Sequence, residues 1–388
     1  MSRHGVIRTP AVEEAMRAVA RHHFVPEASL EQAYAVYDIV IIKADVRGRV
    51  LSSASAPHVV AAQLEQAQVR RGDTVLEVGA GTGYNAALLA YLVGTDGLVV
   101  AIEYDPEVAE RARRQLAAAG VTNVMVVCAD GADGFPDRAP YDRVVVTAGA
   151  WDVSRAWREQ LAEGGRLVVP LRLRWPMSVA FDHVDRILRS TSVETCGFLP
   201  MEGSVGHPAH RAELADGAVV LHLEHEHDAD QEALADALEY PRRAAWTGVE
   251  VSDGPAYDHL YLWLTSTFPT FSKFNVTDRG AGLVNPLMSW GGAAFHDGGT
   301  FAYLTNRRSD GHQDGPRFEL GVIAHGDQAE HLAEHVAGHI RSWHQHQRAT
   351  TLPRLEIHPA GTPDARLAGA YVIERPQSRI ALSWVPCV

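Results

Sequence analysis

Residues 74–83 read TVLEVGAGTG, and this stretch decides the fold of the first half of the chain. Its apolar, β-branched start predicts a short buried strand. The glycines at 79, 81 and 83 predict a turn whose backbone can approach a ligand closely. The run NAALLAYLVG at 85–94 then predicts a helix that ends at a glycine. A strand, a glycine loop and a helix in this order predict the first unit of a doubly wound α/β fold.

The segments on either side continue this alternation. Short apolar runs separated by helices predict a parallel sheet that is covered on both faces. The predicted strands are LVVAIEYD at 98–105, VMVVCADG at 124–131 and YDRVVVTAG at 141–149. The segment PEVAERARRQLAAAG at 106–120 predicts a helix, and REQLAEGG at 158–165 leads into RLVVPL at 166–171. Upstream, we expect helices over 10–22 and 57–68, with Ser55 as a candidate N-cap of the second.

The pattern changes after residue 205. HLYLWLTSTF at 259–268 and TFAYLTNR at 300–307 are rich in aromatic and β-branched residues, which favours strands. QAEHLAEHVAGHIRSWHQHQR at 328–348 predicts one long helix. We therefore expect two domains, an α/β domain over 1–205 and an α+β domain over 206–388.

The composition disfavours several classes of protein. The 388 residues include 35 Lys and Arg against 48 Asp and Glu, a formal charge of −13, which is unsuited to nonspecific nucleic-acid binding. No apolar run approaches the roughly 20 residues that span a bilayer. The three cysteines form no CxxC pair, which favours a reduced, cytoplasmic protein. The sequence indicates no oligomeric state.

The loop spacing and two acidic residues indicate the ligand. A dinucleotide-binding loop would have glycine at position 84, where this chain has Tyr84, so a dehydrogenase is disfavoured. Glu103 and Asp130 lie at the ends of the second and third strands. This combination resembles the S-adenosylmethionine-dependent methyltransferases. The resemblance implies a Rossmann-like class I methyltransferase fold with S-adenosylmethionine as cofactor.

The same resemblance implies the residues that bind the cofactor. They are Glu77, Gly79, Ala80, Gly81, Gly83, Glu103, Tyr104, Asp130 and Gly131. A carboxylate at Glu103 can accept hydrogen bonds from both ribose hydroxyls. The alternative is that Glu103 and Asp130 only cap the ends of their strands.

Four further segments narrow the family. SSASAPH at 52–58, together with HHFVPE at 22–27, RAPYD at 138–142 and QLAEGGRLVVP at 160–170, resembles the protein-L-isoaspartate O-methyltransferases. That resemblance implies that Ser53 and Ser55 are catalytic and that Ser55 and His58 contact the acceptor. A carboxylate acceptor has an ordinary pKa near ~4, so it is ionised at neutral pH and needs no general base.

Two departures from the family's pattern suggest a specialised substrate. Trp151, in TAGAWD at 147–152, is expected to border the acceptor pocket and bind substrate. The second half resembles the extra domain of isoaspartyl-methyltransferase-like enzymes associated with lanthipeptides. This implies methylation of an Asp in a macrocyclic ribosomal precursor peptide, then a succinimide, then isoaspartate. The alternatives are a repair enzyme for damaged proteins and an inactive methyltransferase fold that only binds a partner.

The histidines of the second half do not predict a metal site. His331, His335 and His339 recur on one helical face, but they span about 12 Å, which is too far for one ion. His225 and His227 alternate with acidic residues, and there too we favour a solvated surface.

Overall fold

The computed structural model describes residues 5–208, 210–225, 229–252, 256–277, 280, 282–309, 317–348 and 350–387. The chain divides into two compact units. The first contains Met1–Arg172, Pro176–His207 and Leu355–Ala381, and the second contains Leu173–Trp175, Pro208–Arg354 and Leu382–Val388. The expected boundary after residue 205 is thus close to the break after His207. It misses residues 355–381, which belong to the first unit.

The first unit begins with short helices and a hairpin. Its first elements are α1 (Pro10–Ala18), α2 (Leu30–Tyr34), β1 (Val40–Ala44), β2 (Val50–Ala54) and α3 (Pro57–Ala67). Helix α1 is shorter than expected, because the chain leaves it for a single 3₁₀ turn at Arg21–His23. In the part of the chain that the structure describes, strands β1 and β2 form a separate two-stranded antiparallel ladder.

The glycine loop lies in a parallel sheet, as its sequence predicts. The elements are β3 (Thr74–Val78), α4 (Tyr84–Val93), β4 (Leu98–Glu103), α5 (Pro106–Ala118), β5 (Val124–Cys128), β6 (Tyr141–Val146), α6 (Arg155–Gln160) and β7 (Leu161–Leu173). Strands β3 to β7 are parallel, in the order β5-β4-β3-β6-β7. Asp105 caps α5 and Pro106 occupies its first turn, as is typical of a helix N-terminus. The carboxyl ends of β3 and β4 therefore meet at one edge of the sheet.

Two antiparallel strands, β8 (Trp175–Val184) and β9 (Ile187–Thr195), extend this sheet beyond β7. The second unit follows. Its elements are β10 (His210–Leu214), β11 (Val219–Leu223), α7 (Gln231–Leu234), β12 (Arg243–Val251), α8 (Ala256–Thr267), β13 (Ser272–Val276), β14 (Gly291–Asp297), β15 (Thr300–Ser309), β16 (Arg317–His325) and α9 (Ala329–His346). Its seven strands form an antiparallel sheet in the order β10-β11-β13-β14-β15-β16-β12.

Helix α8 corrects one expectation from the sequence, since 259–268 favoured a strand. Leu260, Leu264 and Phe268 are buried at a spacing of four, and so are Tyr261 and Thr265. This period is helical, and the aromatic and β-branched composition concealed it. Packing against the rest of the unit outweighed strand propensity here.

The last strands return to the first sheet. They are β17 (Thr351–Pro359), β18 (Tyr371–Glu374) and β19 (Ser378–Pro386), and they lie beyond β9 in the order β9-β17-β19-β18. Glu356 pairs with Arg189 of β9 in the antiparallel ladder. This pairing is why residues 355–381 belong to the first unit. Among the helices of the described ranges, none is long and apolar enough to cross a bilayer.

Candidate active site

A cavity of about 480 Å³ opens at the carboxyl edge of β3 and β4 in the first unit. Such a volume suits a small-molecule cofactor or substrate. The glycine loop forms part of its wall, and positive φ angles at Gly79, Gly81 and Gly83 shape that loop. A Cβ on Gly79 would lie 2.5 Å from the Thr147 hydroxyl, which itself donates to the Gly79 carbonyl at 2.6 Å. Only glycine therefore allows the loop to lie this close to the end of β6.

Glu103 lies in the cavity wall directly beside the loop. One carboxylate oxygen accepts the Gly81 N–H at 2.8 Å, and the other accepts the Asp105 N–H at 3.2 Å. Burial raises the pKa of Glu103 above its ordinary value, and the backbone N–H donors oppose that rise. The carboxylate is thus held by the backbone beside the loop, where it can accept hydrogen bonds from a ligand's hydroxyls.

Glu77 lies behind the loop and is completely buried. One oxygen accepts a hydrogen bond from Asn85 at 2.8 Å, while Oε2 has no partner among the residues that the structure describes. Burial is the main cause that raises the pKa of Glu77 to about 8, and the nearby Glu103 charge adds to it. Its partner Asn85 lines the cavity, so Glu77 supports the site from behind the loop and does not itself reach a ligand.

The sequence-predicted cofactor residues separate into two groups. Those that line the cavity are Gly79, Ala80, Gly81, Glu103, Tyr104 and Gly131, and those that lie behind its wall are Glu77, Gly83 and Asp130. The Asp130 carboxylate is bound by backbone N–H groups, from Ala132 at 2.9 Å and from Ser204 at 2.7 Å. Asp130 therefore braces the turn that presents Gly131 to the cavity.

The segment from 52 to 58 forms the facing wall. Ser53, Ser55 and His58 all line the same cavity as the glycine loop. The expectation that Ser55 caps α3 is wrong, because the N-cap residue is Ala56 and no side chain caps this helix. Within the described chain the Ser55 hydroxyl makes no hydrogen bond and is available to a ligand. His58 is anchored, since its Nδ1 donates to the Val36 carbonyl at 2.9 Å.

Trp151 does not line this cavity, contrary to expectation. Its ring stacks on His207 with centroids 3.9 Å apart, and the Arg375 guanidinium lies 4.3 Å from the ring centroid. Arg375 also donates to the Trp151 carbonyl at 2.9 Å. These contacts with the returning C-terminal segment occupy the ring, so it acts as a packing anchor within the first unit.

The sequence analysis missed several residues of the cavity wall. They are Arg21, Tyr37, Ile39, Gln63, Thr147 and the segment 197–202. Most lie far from the glycine loop in sequence and reach it only through the hairpin and the strand ends. Two of them had a local signal: Arg21 directly precedes the HHFVPE segment that carries the family resemblance, and Thr147 begins the TAGAWD segment.

Of the histidines that the sequence singles out, those in the described chain lie on helix α9 and just after strand β11. Within the described ranges, no group of three or more His, Cys, Asp or Glu side chains is placed to hold a metal ion. Ring centroids are 6.1 Å apart for His331 and His335, and 5.1 Å apart for His335 and His339. His225 lies in the described chain, whereas His227 lies outside it.

The fold and this cavity define a class I S-adenosylmethionine-dependent methyltransferase. The family model for protein-L-isoaspartate(D-aspartate) O-methyltransferase matches residues 1–206. The chain belongs to this family and is an S-adenosylmethionine-dependent carboxyl O-methyltransferase.

Named relatives agree with this assignment. Protein-L-isoaspartate O-methyltransferase 2 of Archaeoglobus fulgidus is 42% identical over 202 residues, which cover 52% of this chain and 89% of the relative. Protein-L-isoaspartate O-methyltransferase of Ignicoccus hospitalis is 47% identical over 167 residues, covering 43% and 76%. A solved structure named protein-L-isoaspartate O-methyltransferase covers 92% of this chain and 93% of its own, with a TM-score of 0.51 and 23% identity. At this identity the structure shows the fold alone.

Proposed function

We propose that this enzyme methylates the free α-carboxylate of an isoaspartyl residue in a protein or peptide. The observation that carries the proposal is the free Ser55 hydroxyl, which lines the same cavity as the glycine loop and Glu103. Family membership and the names of the relatives support isoaspartate as the acceptor. We also propose that the enzyme acts in the cytoplasm, because its three cysteines are widely spaced in the sequence and form no CxxC pair.

The chemistry needs little beyond orientation. When bound, S-adenosylmethionine supplies an electrophilic methyl group, and the glycine loop and Glu103 are the residues that would hold it. The acceptor carboxylate is already ionised at neutral pH and serves as the nucleophile without a general base. Ser55 would donate a hydrogen bond to one acceptor oxygen and leave the other free to take the methyl group. The cavity walls would exclude water and fix the reacting atoms in line.

The acceptor separates this proposal from the lanthipeptide hypothesis. The names of the two relatives given above do not mention a modified cyclic peptide. In addition, Trp151 is not among the residues that line the cavity. Isoaspartate is therefore the better supported acceptor, and an Asp in a macrocyclic precursor peptide stays a hypothesis. For the second unit we propose a role in binding the polypeptide that carries the acceptor. None of the described residues that line the cavity belongs to this unit, so such binding would take place outside the catalytic cavity.

The test compares three peptides at equal concentration. One is linear with a single isoaspartate, one is its normal Asp counterpart, and one is a cyclic peptide with the same Asp. We expect the isoaspartyl peptide alone to gain a methyl group efficiently in a mass-spectrometric assay. Efficient methylation of the cyclic Asp peptide with the isoaspartyl peptide ignored would overturn the proposal. Ser55→Thr, which keeps the hydroxyl, should retain more activity than Ser55→Ala.

A further inference from the structure

Arg21 is a buried, positively charged residue in the cavity wall. Its side chain is 1% exposed, although it lines the cavity. Nε donates to the Ala33 carbonyl at 2.7 Å, and one terminal nitrogen donates to the Ala54 carbonyl at 3.4 Å. The other terminal nitrogen, Nη1, is buried and has no hydrogen-bond partner in the part of the chain that the structure describes.

The positive charge of Arg21 is not neutralised by the described protein. No described carboxylate forms an ion pair with Arg21. Its guanidinium makes a cation–π contact with the Tyr84 ring, whose centroid is 5.0 Å away. Burying an unpaired charge is costly unless something compensates for it. A neutral donor could bind the Ala33 and Ala54 carbonyls equally well, so these two hydrogen bonds do not explain why the residue carries a charge. The remaining source of negative charge is a ligand in the cavity.

The position of Arg21 indicates which ligand this is. Ala54, to which Arg21 donates, directly precedes Ser55, so the guanidinium lies on the side of the acceptor segment. Glu103, with the opposite charge, is held instead by the Gly81 N–H. A cation on the Ser55 side favours an anionic group and disfavours a sulfonium. Arg21 thus brings a positive charge to the segment that carries Ser55, where it also lies over the Tyr84 ring, whereas Glu103 brings a negative charge to the glycine loop.

We propose that Arg21 is a positioning and specificity-determining residue for the acceptor. Its charge favours an ionised carboxylate over neutral groups of the same shape, and its tether to Ala54 fixes the backbone that carries Ser55. This inference rests on the proposed function, because it requires an anionic acceptor in this cavity.

The experiment measures discrimination by charge and does not rely on stability. The dissociation constant of a linear isoaspartyl peptide is compared with that of an analogue whose acceptor carboxylate is replaced by a neutral carboxamide. Both are titrated into the full-length enzyme saturated with S-adenosylhomocysteine, which lacks the sulfonium charge. We expect wild type to prefer the carboxylate by about tenfold or more.

Two variants separate the effect of the Arg21 charge from the effect of its hydrogen bond to the Ala54 carbonyl. Arg21→Gln keeps a donor without the charge and should lose the preference, whereas Arg21→Lys should retain most of it. The matched control Arg17→Gln removes a charge whose side chain is 76% exposed, and it should leave the preference unchanged. All variants should bind S-adenosylhomocysteine as wild type does, which also shows that they fold.

Three results would overturn the inference. They are a wild type that binds both peptides equally, a folded Arg21→Gln that keeps the preference, and a folded Arg21→Lys that loses it. Even if Arg21→Gln fails to fold, the affinities of wild type for the carboxylate and carboxamide peptides still test the inference. Failure of the proposed function is seen separately, as wild type that does not methylate the isoaspartyl peptide at all.

Discussion

Glu77 and Glu103 end up in different surroundings although their strands are neighbours. Glu103 reaches the cavity and is stabilised as an anion by the N–H groups of Gly81 and Asp105. Glu77 is sealed behind the loop with a single donor, from Asn85. Burial therefore raises the pKa of Glu77 to about 8, so the folded chain holds its proton at neutral pH. The same residue type thus serves as a hydrogen-bond acceptor at the cavity in one position and as a buried acid in the other.

Glu77 makes the stability of the ligand-free enzyme depend on pH. The unfolded chain releases this proton near the ordinary pKa of 4.5, whereas the folded chain keeps it up to about 8. The contribution of Glu77 to the unfolding free energy is therefore fully present below pH 4.5. It is lost as the pH rises from 4.5, the pKa in the unfolded chain, through about 8, the pKa in the folded chain. Urea unfolding of wild type should show this fall, on the order of a few kcal/mol.

Glu77→Gln should flatten the part of the pH profile that Glu77 causes. The control Glu110→Gln changes a side chain that is 55% exposed and should reproduce the wild-type slope. Parallel profiles for wild type and Glu77→Gln would contradict a raised pKa at this position.

The predictable residues are those whose role depends on local sequence. The loop glycines, Glu103 and Ser55 are recognisable because each has a fixed place relative to a strand end or a helix start. Arg21, Thr147 and the segment 197–202 were not found, because they reach the cavity only through tertiary packing. Trp151 was misplaced for the same reason, since its partners His207 and Arg375 are remote in sequence.

Among the elements of the cavity wall, the β1–β2 hairpin is not hydrogen-bonded to the large sheet of the first unit in the described chain. It forms a separate two-stranded sheet, yet Ile39, Leu51 and Ser52 of this region line the cavity. Lys43 joins it to the start of α5, with Nζ 2.6 Å from the Asp105 carboxylate and 2.5 Å from that of Glu107. These two carboxylates raise the pKa of Lys43 to about 12, so the ion pairs persist at neutral pH.

Removing the Lys43 charge should loosen the hairpin over the cofactor. In Lys43→Met we expect S-adenosylhomocysteine to dissociate about two- to fivefold faster, the range expected for a partly exposed ion pair. Added salt should accelerate dissociation from wild type but not from the variant, because salt screens the same interaction. Stopped-flow fluorescence measures both rates.

A matched control is Arg49→Met, which removes an ion pair with Asp45 inside the hairpin turn. Its dissociation rate should equal that of wild type. Equal rates for wild type and Lys43→Met would show that the hairpin does not depend on this contact.

Helix α8 shows why elements of the second unit are harder to predict than those of the first. Strands β3 to β6 are short apolar runs bounded by glycine, proline or acidic residues, so pattern and structure agree. In α8, Tyr261 and Trp263 suggested a strand, although Leu260, Leu264 and Phe268 follow a helical period. Composition and periodicity conflicted there, and tertiary burial decided in favour of periodicity.

For the whole molecule, the return of residues 355–381 is the feature that sequence patterns did not reveal. Pairing of β17 with β9 is a contact between segments more than 160 residues apart, and no local signal encodes it. The first unit is therefore completed by residues that follow the second unit in the chain. A division into 1–205 and 206–388 would remove three strands from the first sheet.

Asp152 secures this return and should be needed for stability. Its carboxylate is 2% exposed, and it accepts the Ser378 hydroxyl at 2.6 Å and the Gln377 N–H at 2.7 Å. Asp152→Ala would leave both donors without their acceptor, which should lower the unfolding free energy by about 2 kcal/mol or more. Denaturant unfolding measures this loss.

The control for this prediction is Asp364→Ala, in the same returning segment. The Asp364 side chain is 92% exposed where it pairs with Arg379, so its loss should have little effect. Similar stability in the two variants would mean that the Asp152 contacts do not hold the segment in place.

We propose that one cavity has two separate functions, with Glu103 binding the cofactor and Ser55 serving the acceptor. Titration calorimetry of S-adenosylhomocysteine into Glu103→Ala and Ser55→Ala tests this division of roles. We predict that Glu103→Ala weakens binding by about tenfold or more, the loss expected for hydrogen bonds to a charged group. Ser55→Ala should bind as tightly as wild type. Unchanged affinity in a folded Glu103→Ala, or an equal loss in both variants, would contradict the account.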